Sequence, residues 1–187
     1  MDVDGNKSYG GEDMVNIGSA QPDFIWGWNT TLEYAGFDLS IFINGVQGND
    51  VWNQTKWLTI GMGADVKNPT SVDILNRWTP ENENTTVAGF SSSNVTYAQS
   101  SQFVEDGSFI RLNNVTLGYG LPSGFLANAL QEARIYVSAQ NLFVITKYSG
   151  IDPELTSTPT WSDVAQGIDN GTYPSTRRIT MGLKVTF

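Results

Sequence analysis

From Ile179 to the last residue, every odd position is large and apolar: Ile179, Met181, Leu183, Val185, Phe187. Every even position is small or polar: Thr180, Gly182, Lys184, Thr186. A period of two sends successive side chains to opposite faces, so residues 177–187 read as a β-strand with one apolar and one wet face. Residues 23–34 repeat the pattern, with Phe24, Trp26, Trp28, Leu32 and Tyr34 against Gly27, Asn29, Thr31 and Glu33. Ala35-Gly36 then reads as a tight turn into a strand near 37–45, where Phe37, Leu39, Ile41 and Ile43 alternate with Asp38, Ser40 and Asn44. Residues 103–121 read as one long strand with Val115, Leu117, Tyr119 and Leu121 on a face. Upstream the apolar parity moves to Ile110 and Leu112, which predicts a bulge near Asn113-Asn114 or a strand projecting beyond the apolar zone. In residues 133–147, Ile135, Val137 and Ala139 oppose Arg134, Tyr136, Ser138 and Gln140.

The connections between these strands run short (35–36), long (46–102), short (122–132) and long (148–176). Within them, Thr70 or Ser71 can cap a short helix ended by Thr79-Pro80, and a helical turn is expected around Phe125–Leu130. Strict alternation of brief turns and long loops is the habit of a transmembrane β-barrel, whose outer face meets lipid. Aromatic residues collect beside the short turns (Tyr34, Phe37, Tyr119, Phe187), and Trp26 lies near the other end of its strand, as two interfacial girdles require. Lys184 falls with the threonines, where it escapes the roughly 2–4 kcal/mol cost of a lysine at the bilayer midplane. The alternative is a soluble β-sandwich, which would show turn signals every 8–12 residues or so and no such asymmetry. The sequence therefore predicts an all-β chain, an antiparallel transmembrane β-barrel segment of about five strands, with short helices in its long loops. Five strands cannot close a pore, so two unpaired edges and insolubility without detergent are expected.

Charge and composition sharpen this picture by exclusion. Charged residues make up 16% of the 187 positions, against about a quarter in ordinary soluble domains. The net charge of −9 argues against nucleic acid or an anionic membrane surface as partner. With no cysteine and no histidine, the chain has no disulfide, no thiolate metal site and no histidine general base. No run approaches the ~18 apolar residues of a membrane helix. Met1-Asp2-Val3-Asp4 lacks the apolar core of a signal peptide, which leads to the expectation that the chain is the tail of a longer polypeptide.

Candidate chemistry is sparse, and no catalytic arrangement stands out. Asp2, Asp4, Asn6, Ser8 and Asp13 occupy positions 1, 3, 5, 7 and 12 of the window 2–13, the spacing of an EF-hand-like calcium loop. Lys7 replaces the glycine of the sharp turn and Asp13 the closing glutamate, so a solvated acidic turn stays open as the other reading. Glu105-Asp106 reads as a rim or turn pair. Trp52, Trp57, Trp78 and Trp161 lie in the long loops, placed to stack on a substrate or to meet a partner, and equally to pack within their own loops. The terminal alternation ending in Phe187 suits a recognition signal read by barrel-assembly machinery through strand pairing.

Several stretches taken together resemble one family. Phe103-Val104-Glu105-Asp106-Gly107-Ser108-Phe109-Ile110-Arg111-Leu112-Asn113-Asn114-Val115-Thr116-Leu117-Gly118-Tyr119 is similar to the late barrel of SusC/RagA-type TonB-linked outer-membrane proteins. So are Ile135–Tyr148 with its Ser138-Ala139-Gln140-Asn141-Leu142-Phe143, Arg77-Trp78-Thr79-Pro80-Glu81-Asn82, Gly36–Gly45, and Tyr173-Pro174-Ser175-Thr176-Arg177-Arg178. The resemblance runs over nearly the whole chain, and the acidic loop at 2–13 has a counterpart in that family. It implies the C-terminal portion of a barrel of about 22 strands, located in the bacterial outer membrane among its lipids. The implied role is nutrient import, of oligosaccharides or peptides, beneath a SusD-like surface lipoprotein and powered through TonB. The plug domain and TonB-contacting segment lie N-terminal in the family and are expected outside this chain. The rival roles are a soluble carbohydrate-binding β-sandwich and a barrel adhesin without transport.

Overall fold

The computed structural model describes Gly5 and residues 11–61, 71–87, 89, 101–122, 131–155 and 166–186. Its strands are β1 (Phe24–Tyr34), β2 (Phe37–Gln47), β3 (Asp50–Asn53), β4 (Val104–Asp106), β5 (Phe109–Gly120), β6 (Glu132–Thr146), β7 (Ile168–Asp169) and β8 (Arg178–Thr186). They make a five-stranded sheet in the order β1-β2-β5-β6-β8 and a three-stranded sheet, β4-β3-β7. The chain divides into two compact units, each holding one sheet. The larger sheet belongs to Pro22–Gly48, Gly107–Lys147 and Tyr173–Phe187; the smaller to Met1–Gln21, Asn49–Asp106 and Tyr148–Thr172. No helix among the described residues is long and apolar enough to cross a membrane, which leaves strands untouched as a means of crossing.

In the larger unit every strand pair is antiparallel. The β1–β2 turn has positive φ at both central residues, Ala35 (50°) and Gly36 (84°). That is the combination whose twist matches the flanking strands. The register then carries apolar residues straight across the sheet: Leu32, Leu39, Leu117, Val137 and Met181 form one row. Tyr34, Phe37, Tyr119, Ile135 and Leu183 form the row nearest the short turns, with the Phe37 and Tyr119 rings 4.5 Å apart. The expected bulge is present. Between Phe42 and Ile43 of β2, β5 steps from Asn114 to Leu112, so Asn113 is the extra residue that flips the parity. A second extra residue enters β6 opposite it, beside Asn141 with φ of 50°.

The side chains that a β-sandwich would bury lie open. Leu117, on the central strand, is 49% exposed and Met181 75%, with Leu32, Ile135, Phe143 and Ile179 also exposed. Such a contiguous apolar face is far beyond what a soluble monomer tolerates.

The smaller unit is a conventional core in miniature. Val51 of β3 and Phe103, just before β4, are fully buried, and the 3-10 turn Val72–Asn76 buries Ile74. Ser71 caps that turn by accepting the Asp73 N–H, as the sequence suggested. Two boundaries differ from the pattern reading. Residues 103–121 are not one strand: Val104–Asp106 pairs with β3, and the chain breaks at Gly107-Ser108 before β5 begins. There the Ser108 hydroxyl accepts the Gly48 N–H and its carbonyl accepts the Thr146 hydroxyl. The long connections 46–102 and 148–176 also contain β3 and β7, paired in parallel at Trp52↔Ile168 and Asn53↔Asp169. Strands of two to four residues are too short to show alternation. The helical turn expected around Phe125–Leu130 lies outside the described residues.

Candidate functional site

The reverse of the large sheet is polar, and its chemistry follows the same register. Thr31, Ser40, Thr116, Ser138 and Thr180 form a hydroxyl row across all five strands. Thr116 donates to Ser138 (3.0 Å), and Ser138 donates on to the Asn114 amide oxygen (3.1 Å). The next row toward the long connections holds Asn29, Phe42, Asn114, Gln140 and Arg178. Toward the short turns charge appears. The Arg134 guanidinium reaches from β6 across β5 to grip Asp38 on β2, with Nε to Oδ1 at 2.8 Å and Nη2 on the other carboxylate oxygen. It can do so because Gly118 stands beneath it: a Cβ there would collide with both partners. Gly182 plays the same part for the Tyr136 ring, over which Arg134 sits at 5.2 Å. Lys184 pairs with Arg134 in the register and shares this polar face with Thr180 and Thr186, as the alternation required.

The small unit is tied together by a polar network, buried at Asn53, Tyr148 and Asp169. Glu105 of β4 accepts from Lys56 Nζ (2.8 Å), the Ser149 hydroxyl (2.7 Å) and the Ser149 N–H (2.8 Å). Asn53, 2% exposed, caps the turn Gln54–Lys56 through its oxygen. Tyr148 donates to Asp169 at 2.5 Å, and Asp169 also accepts the Gly171 and Thr172 N–H groups. Burial, then the bond to Asp169, pushes the Tyr148 phenol well above its ordinary value, so it serves as a fixed donor. Each bond joins the 49–106 stretch to the 148–172 stretch or locks one of them.

Glu105 makes this network sensitive to acid. Burial alone would push its carboxyl up, but the Lys56 and Ser149 bonds outweigh burial and hold it below its ordinary value of 4.5. A carboxylate depressed in the folded state stabilises the fold above its unfolded value, and that stabilisation is lost as pH falls through the folded value. Protection of the Ser149 amide against hydrogen exchange is therefore expected to exceed that of Glu105→Gln near pH 7 and to fall toward it at a pH below the folded value of Glu105. Equal protection of the two proteins at both pH values would contradict this assignment.

Two clefts of about 460 Å³ each open on the same unit, and both are lined by Lys56, Ile60 and Asp73. One extends along Asn53, Ser149 and Gly171, the other along Asn76, Thr86 and Gln102. These sizes lie within the range of small-ligand sites.

Of the residues singled out in the sequence, Trp52 and Trp57 come together, ring centres 5.9 Å apart and tilted by 31°. The Trp57 indole N–H is buried without a partner among the described residues. Trp78 is 48% exposed, its ring edge beside Gly89. None of the three lines the paired clefts. Asp13 closes the 3-10 turn Gly11–Asp13, while Asp2, Asp4, Asn6, Ser8, Trp161 and Phe187 lie outside the described residues. Sequence reasoning did not find Asn53, Asp73, Ser149 or Asp169, and it assigned Glu105 to a rim or turn. Asn53, Ser149 and Asp169 each have a partner far along the chain, whereas Asp73 is bonded to Ser71, whose capping position left a local signal.

An antiparallel sheet with one exposed apolar face, a hydroxyl-lined reverse, brief turns at one end and long connections at the other defines a segment of a transmembrane β-barrel. No protein-family model matches the chain. Its full length aligns with TonB-dependent receptor P3 of Formosa agariphila at 40% identity over 192 residues, and with SusC of Bacteroides thetaiotaomicron, also a TonB-dependent receptor, at 24% over 189. The chain spans 18% and 17% of the length of these two relatives. It superposes on a chain of the RagAB peptide importer in its closed-closed state with a TM-score of 0.76 and 26% identity, over 91% of this chain and 18% of that one. The chain belongs to the SusC/RagA-type TonB-dependent receptors, of which it represents a part, and its place is the outer membrane.

Proposed function

We propose that the chain supplies adjacent wall strands and two long connections to an outer-membrane nutrient importer energised through TonB, which takes up oligosaccharides or peptides with a SusD-like surface lipoprotein. The observation that carries this reading is the two-faced sheet: exposed leucine and aromatic rows on one side, hydroxyls, amides and a braced ion pair on the other. The names of the relatives and the RagAB neighbour support the import role. In this reading the strands form the C-terminal end of the barrel, and the plug and TonB-contacting segment lie elsewhere in the receptor. Trp52, Trp57, Trp78 and Trp161 contact substrate or the lipoprotein, and the 2–13 loop, with Asp2, Asp4, Asn6, Ser8 and Asp13, holds calcium. Uptake of labelled oligosaccharides and peptides by cells lacking the receptor, or lacking TonB, tests the reading. Loss of uptake of one ligand class in both strains is expected; normal uptake of every ligand in both would refute it. We further assign Phe187 to recognition by the barrel-assembly machinery. Its deletion from the full-length receptor is expected to lower surface abundance, measured by immunoblot of outer-membrane fractions, and unchanged abundance would remove that role.

A further inference from the structure

We propose that the paired clefts of the small unit form one groove that binds an extended, basic peptide, with the Asp73 carboxylate as its charge-reading group. This rests on the importer reading and narrows its substrate class. Both clefts are lined by Lys56, Ile60 and Asp73, and in this proposal these three residues form a common waist that favours a linear ligand over a compact one. On either side of the waist the wall offers hydroxyls, from Thr55 and Thr86, and beside Thr86 the exposed amide of Asn76. Such groups both donate and accept, which matches the alternating N–H and C=O groups of an extended backbone.

The absence of rings from the described lining separates peptide from sugar. The apolar face of a sugar calls for an exposed aromatic surface, and the one aromatic side chain here, Phe103, is fully buried. Ile60 gives the waist an aliphatic patch suited to a side-chain stem instead.

Charge then sets the sign. Lys56 is neutralised by Glu105 at 2.8 Å. Asp169 turns its oxygens to Tyr148, Gly171 and Thr172. Asp73 is exposed, its carboxylate accepts the hydroxyl of neighbouring Ser71 while its N–H donates to that hydroxyl, and it has no ion-pair partner among the described residues. The waist thus presents one uncompensated negative charge, on a chain whose net charge of −9 already draws cations toward it.

The test uses detergent-purified full-length receptor at low salt and the fluorescence anisotropy of short labelled peptides in which alanine alternates with lysine or with glutamate. The lysine peptide is expected to bind about tenfold more tightly than the glutamate peptide, and Asp73→Lys to erase that difference. Asp73→Asn keeps the hydrogen bond with Ser71 and is expected to weaken the lysine peptide several-fold, with circular dichroism confirming that both variants fold. Unlabelled malto-oligosaccharide is expected not to compete. Undiminished binding of the lysine peptide to both variants, a preference for the glutamate peptide, or displacement by the oligosaccharide would each overturn the proposal. TonB-dependent uptake measured in the same strains separates the two levels. Intact uptake with a negative groove result removes the groove alone, whereas no TonB-dependent uptake of any ligand removes the importer reading.

Discussion

Leu117→Arg is expected to cost the full-length receptor about 2–4 kcal/mol and to deplete it from the outer membrane, because the apolar row it interrupts faces hydrocarbon. Leu117 sits on the central strand between Leu39 and Val137 and is 49% exposed, so a guanidinium there would project from the apolar face. Thr116→Arg, one residue earlier, points to the opposite face beside Ser40 and Ser138 and is expected to be tolerated. The comparison holds strand, position and substituent nearly constant and changes only the face. Urea unfolding of both variants in lipid vesicles measures it. Equal destabilisation of the two would show that the faces are not chemically distinct.

The second large effect concerns the small unit. Phe103, like Val51 of the same unit, is fully buried. Phe103→Ala removes a whole ring from a small core and is expected to cost about 3–5 kcal/mol. Because that core belongs to its own compact unit, the loss is expected to appear as local opening. Protease cleavage within residues 49–106 and 148–172 should rise while β5 and β6 stay protected. Uniform cleavage of strands and connections alike would mean the two units do not open separately.

The large sheet was legible because its information is local. Odd-numbered apolar residues from Ile179 onward fix which side of β8 is greasy, Ala35-Gly36 can adopt the two positive φ values a two-residue turn needs, and the jump from Leu112 to Val115 records the bulge. Lys184 could be assigned to the polar face from its neighbours alone. The small unit was illegible for the opposite reason. Asn53 meets Asp169 through a parallel pairing of very short strands, and Glu105 is held by Lys56 and by Ser149. No periodicity links residues so far apart. Val104–Asp106 reads in the sequence as the start of β5, yet the break at Gly107-Ser108 hands it to another sheet. The loop tryptophans are conspicuous rings in the sequence, while the groove is lined by amides, hydroxyls and two carboxylates, Asp73 and Asp169, that composition does not set apart.

All of this depends on lipid meeting one face of the sheet and water or polar protein the other. The most direct measurement places a single fluorophore-labelled cysteine at Met181 or at Thr180 of the receptor, in bilayers whose acyl chains carry bromine. Strong quenching at Met181 and weak quenching at Thr180 is the predicted result. Equal quenching at the two positions, or the reverse order, would contradict it.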